Sequence, residues 1–138
     1  MDELDPDQKL FMDAIKDATK GVLLLLKETH LEKRFIYQFE PRFITTIAQC
    51  MTTAHATRLR FQWPLWRLLN EEERMETTAH EVCHAVQEHY WPQGLSEAHG
   101  VEWRSLMKCV GYPRAEAECR LNPIAHASIV RRSKGGNR

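Results

Sequence analysis

The chain has 138 residues and a mass of 16.2 kDa, enough for one domain with its own core and too little for two. Hydrophobic residues make up 43% and charged residues 28%, the balance of a globular protein. Lys and Arg number 19 and Asp and Glu number 19, which argues against a surface wholly committed to nucleic acid but leaves room for a local basic patch.

The longest apolar run, VLLLL at 22–26, is far short of the roughly 20 residues of a membrane-spanning helix. The start, MDELDPD, is acidic where a secretory signal is basic and then apolar. Cys50, Cys83, Cys109 and Cys119 form no CxxC pair. Together these features predict reduced, mostly buried thiols and a cytoplasmic setting.

Asp5-Pro6-Asp7-Gln8 reads as a helix start, with Asp5 as N-cap, Pro6 at the first position and Gln8 at the third. Leu10, Phe11, Ala14, Ile15, Ala18, Val22, Leu25 and Leu26 recur at helical spacing, which predicts a helix over 5–27. The period then changes. FIYQF at 35–39, ITTIAQCM at 44–51 and ATRLRF at 56–61 read as strands, the last two joined by a turn at 52–55. Leu59 and Phe61 alternate with Arg58 and Arg60, so one face is expected to be wet. The expectation is an α+β fold with a small antiparallel sheet of about three strands packed on helices. Trp63-Pro64-Leu65-Trp66 starts a short helix to Leu69, its aromatics in a core role.

Asn70 followed by Glu71, Glu72 and Glu73 is a second start signal, with Glu73 at the reciprocal capping position. Met75, Ala79, Val82 and Val86 form an apolar stripe, and Pro92 ends the helix near Tyr90. Ser96 caps the next helix, which stops at Gly111-Tyr112-Pro113. Residues 1–130 are read as a single domain with its core over 35–113, and RRSKGGNR at 131–138 as a basic flexible tail.

The helix after Asn70 carries His80-Glu81-Val82-Cys83-His84, an HExxH pattern. Histidines four apart stand one above the other on a helix, so both imidazoles can reach one zinc ion. Glu81 beside them suits a general base toward water. Cys83 between them is expected to face the interior. A third ligand is required, and Glu88, His89, Glu97, His99 and Glu102 are the downstream candidates. Gln87 and Tyr90 stand where a metzincin has Gly and His, which excludes that class. A chain that turns back after Trp91-Pro92-Gln93-Gly94 would bring His99 to the metal, with Glu97 and Glu102 as alternatives. Tyr90, Tyr112 and the nearby arginines are candidates for oxyanion support.

Thr78-Ala79-His80-Glu81-Val82-Cys83-His84-Ala85, followed after a turn by His99-Gly100-Val101-Glu102-Trp103, resembles the SprT-like family of zinc metallopeptidases. The resemblance covers roughly residues 35–113. It implies a zincin-like core with His80, His84 and His99 on Zn2+ and Glu81 as general base, cleaving protein substrates. The family includes DNA-dependent proteases that digest DNA–protein crosslinks. Many members carry a downstream zinc ribbon with paired CxxC motifs, a pattern this sequence lacks.

Arg58, Arg60, Arg67, Arg104, Lys108 and the basic C-terminal segment are candidates for a DNA-contacting patch, with Trp63 and Trp66 as stacking platforms. Solvated faces are the simpler reading of these charges. Two other functions fit the same motif: a toxic protease domain of a bacterial or phage delivery system, and a non-catalytic zinc-binding interaction module. His30, His55, His89 and His126 have no partner spacing and read as surface residues.

Overall fold

The computed structural model describes residues 4–41, 46–92 and 98–113. Asp5 opens the first helix. Its carboxylate accepts from the Gln8 backbone N–H at 2.8 Å, and the Gln8 side-chain oxygen accepts from the Asp5 N–H at 3.2 Å. The pair satisfies donors that a helix start leaves unpaired, and Pro6 has no N–H to lose. Helix α1 spans Pro6–Leu25, and Lys27 at φ 59° turns the chain away.

The buried face of α1 is rotated from the expected stripe. Met12, Ile15, Thr19, Val22 and Leu23 are buried, whereas Leu10 is 69% and Leu25 61% exposed. Thr19 tolerates burial because its hydroxyl donates to the Ile15 carbonyl at 2.8 Å. Leu10, Phe11, Ala14 and Ala18 line an open groove of about 370 Å³ shared with Trp66, Arg74 and Met75.

A 3₁₀ segment, Thr29–Arg34, leads into strand β1, Phe35–Glu40. β2 spans Ala48–Thr52 and β3 spans Thr57–Gln62. β2 and β3 form the expected antiparallel hairpin, closed by Thr53, whose hydroxyl accepts from the His55 and Ala56 N–H groups. The purely antiparallel sheet is corrected. The order is β1-β3-β2, and β1 pairs in parallel with β3 from Phe35↔Thr57 to Glu40↔Gln62. The segment between β1 and β2 is long enough to skip one strand position, a step of about 10 Å, so β3 enters between them. β3 is thus the central strand. Leu59 and Phe61 are fully buried and Arg58 is exposed, as their alternation predicts.

Helix α2 is one turn, Trp63–Trp66, and does not reach Leu69. Trp66 is buried against Phe61, and Trp63 packs between Phe11 and Phe39. Both therefore serve the core. Helix α3, Glu71–Tyr90, begins with the expected capping box, Asn70 and Glu73 exchanging two bonds of 2.8 Å. It buries Ala79, Val82, Cys83 and Val86, while Met75 is half exposed. α3 packs on α1, on β2 and on helix α4, Val101–Cys109. α4 starts after Gly100, and Gly111 at φ 104° takes the left-handed conformation that ends it before Pro113.

Cys50, Cys83 and Cys109 are free thiols. Cys109 is exposed, which corrects the expectation of burial for that residue. Among the described residues no helix is long and apolar enough to cross a membrane. The Ser96 cap, Ile44, Glu97, Cys119, His126, the boundary at 130 and the tail 131–138 lie outside the described residues.

Candidate metal centre

α3 places His80 and His84 one turn apart on a single face, and the turn before α4 brings His99 back to them. The Nε2 atoms of His84 and His99 are 2.9 Å apart, and those of His99 and His80 are 3.4 Å apart. The three donor atoms all lie within 4.8 Å of one another. A tetrahedral zinc with Zn–N near 2.0–2.1 Å separates its nitrogens by about 3.3 Å, so the convergence fits such an ion. Among the described residues this is the cluster suited to a metal. Glu88, His89 and Glu102, the other described candidates, are not in it; His89 packs near His30 instead.

The electrostatics keep the nitrogens available. Burial, with His84 and His99 adjacent, pushes the His80 imidazole down to about 3. Burial likewise pushes His84 down to about 4, against a hydrogen bond with Gln87 that acts the other way. His99 is lowered by burial and by Arg104. At neutral pH the three imidazoles are therefore uncharged, the form able to bind a metal.

Glu81 is buried beside them, its Oε2 3.9 Å from His80 Nε2. Burial raises its carboxyl to about 8. With His80 neutral and the carboxyl mostly protonated at pH 7, that contact is not an ion pair. A cation on the three histidines would favour the carboxylate.

Trp103 holds the cluster from α4. It is fully buried, and its indole N–H donates to the His80 carbonyl at 3.2 Å. Its ring lies 20° from parallel with His84 at 5.4 Å and stands edge-on to His80 and His99, both at 4.8 Å. One indole thus touches all three imidazoles.

Two residues near the centre escaped the sequence reading. Gln87 is buried, with its Oε1 3.3 Å from His84 Nδ1. The signal was its i+3 spacing from His84. Cys50 on β2 lies close enough to Glu81 and Glu88 for burial, reinforced by both carboxylates, to push its thiol up to about 12. It stays a protonated thiol and is outside the metal cluster. No local pattern announced it, because it depends on how β2 packs on α3.

The tyrosines proposed for oxyanion support are engaged elsewhere. The Tyr90 hydroxyl donates to Glu28 at 2.6 Å, and the pKa of the Tyr112 hydroxyl is raised by burial and by the charges of Glu76 and Glu72 in the first turns of α3. Arg104 donates from Nε to the His99 carbonyl at 3.0 Å and so braces the third histidine.

An α+β fold with a three-strand mixed sheet, a long helix bearing two histidines and a third returned by the next turn defines a protein with a three-histidine metal-type centre. The SprT-like family model matches residues 12–123, and the chain belongs to that family. This family suggests a metallopeptidase-type function, with which the three histidines are compatible. No curated protein matches the chain.

Proposed function

We propose that the protein is a zinc-dependent endopeptidase of zincin-like architecture, cleaving protein substrates with Glu81 as general base. The convergence of three neutral imidazole nitrogens beside a buried carboxyl carries this reading. His80, His84 and His99 would hold the metal. When bound, zinc would supply Lewis acidity, acidifying water and polarising the scissile carbonyl. Glu81 takes a proton from the attacking water and passes it to the leaving amine. Its burial strips competing solvent from that carboxyl, and Trp103 and Arg104 hold the histidines in place.

The sheet supports a peptide substrate. Among the described residues β2 is an edge strand, packed on the helix that carries His80 and His84, and an extended chain could pair with its outer backbone groups. The proposed DNA patch receives less support. Arg60 pairs with Glu40 at 3.1 Å, Arg67 lies over Trp63, and Trp66 is 1% exposed and unable to stack on a base. Zinc content together with Glu81-dependent cleavage of an unfolded protein tests the proposal. Equal cleavage by wild type and Glu81→Gln overturns the role of Glu81.

A further inference from the structure

We infer that Gln87 is a positioning residue that fixes the tautomer of His84, so that the Nε2 lone pair of His84 faces the other two histidines. The inference rests on the metal-centre reading and adds to it a device for preorganisation.

A neutral imidazole has one N–H and one lone pair, and whichever nitrogen carries the proton cannot bind a metal. His84 has two partners on opposite sides of its ring. Nδ1 is 3.3 Å from Gln87 Oε1, and Nε2 is 2.9 Å from His99 Nε2. A carboxamide oxygen only accepts, so it draws the proton to Nδ1. The lone pair is then left on Nε2, on the side of His99 and His80. An amide turned the other way would offer Nδ1 a donor, put the proton on Nε2 and close the site.

In the metal-free protein the 2.9 Å contact between His84 Nε2 and His99 Nε2 needs one proton. With His84 protonated at Nδ1 that proton sits on His99, which is only partly buried and must move it to Nδ1 when a metal binds, while His84 is already in the binding tautomer.

Gln87 is suited to the task by placement. It is three residues beyond His84 on the same helix, so the spacing is set by α3 itself. It is 2% exposed, so water does not compete for the contact. Partners on the second nitrogen of a ligating histidine typically change metal affinity 10- to 100-fold.

The test compares wild type, Gln87→Met and Gln87→Glu. Methionine fills similar space without an oxygen, and glutamate restores an acceptor. Long-range ¹H–¹⁵N spectra of the metal-free protein read the His84 tautomer, and chelator competition reads zinc affinity. The expected result is Nδ1–H in wild type. Gln87→Met shifts toward Nε2–H and binds zinc about 10- to 100-fold more weakly, and Gln87→Glu recovers both. Wild type with its proton on Nε2 overturns the inference without any variant. So does Gln87→Met with wild-type zinc affinity. Failure of wild type to bind zinc would instead overturn the metal-centre reading, while the His84 spectrum still judges the hydrogen bond.

Discussion

The indole N–H of Trp103 donates to the backbone carbonyl of His80 at 3.2 Å, tying α4 to the middle of the helix that carries His80 and His84. The same residue touches the imidazoles of all three clustered histidines. It therefore links the packing of the fold to the geometry of the centre.

Removing that link separates two contributions. Trp103→Phe keeps an aromatic ring but loses the donor, and is expected to cost about 1 kcal/mol. Trp103→Ala empties a fully buried site and is expected to cost about 3–5 kcal/mol. Urea unfolding midpoints of the two variants check the order. Equal losses would mean that Trp103 acts through its hydrogen bond alone.

The third histidine has the weakest local support, because it stands in a turn and is only partly buried. His99→Ala is expected to lower zinc affinity by more than about a hundredfold, beyond the effect of removing a ligand's outer partner. The metal-free stability should change little. Competition with a chromophoric chelator checks the first point and thermal unfolding the second. Wild-type affinity in this variant would remove His99 from the metal.

The pH dependence of the metal-free protein follows chiefly from His80, His84 and Glu81, with His99 lowered in the same direction as the other two histidines. His80 and His84 titrate at about 3 and about 4, below the ordinary 6.5. The fold binds fewer protons there than the unfolded chain, so their contribution is full above pH 6.5 and is lost as pH falls toward 4 and 3. Glu81 titrates at about 8, above the ordinary 4.5. Its contribution is full below 4.5 and is lost as pH rises through 8. Between 4.5 and 6.5 two histidines oppose one carboxyl and prevail, so these groups place maximum stability near pH 6.5. Denaturant midpoints of chelator-treated protein across this range check the peak. A midpoint that climbs steadily through pH 8 would contradict it.

What the sequence disclosed was what local chemistry decides. Asp5 with Gln8 and Asn70 with Glu73 mark both long helices, because a capping box is a relation between residues three apart. His80 and His84 were legible for the same reason. Leu10 and Leu25 misled, because periodicity states which residues share a face and not how far the neighbouring surface extends. The insertion of β3 between β1 and β2 was hidden, since strand order is a non-local choice that no residue pattern within β1 records. His99 lies between these cases. The motif resemblance singled it out, but its approach to His84 depends on how the chain returns along α3.

The most direct test of the account is proteolysis by zinc-loaded protein, wild type beside Glu81→Gln, on a panel of DNA-binding and other proteins, with and without single-stranded DNA. The account predicts cleavage by wild type, zinc retained in Glu81→Gln, and a rate at least about 10²- to 10⁴-fold lower in that variant. Stimulation by DNA would place the activity with DNA-associated proteolysis, and indifference to DNA with a free-standing protease. Cleavage by Glu81→Gln at the wild-type rate, or zinc-bound wild type that cleaves nothing in the panel, would contradict the account.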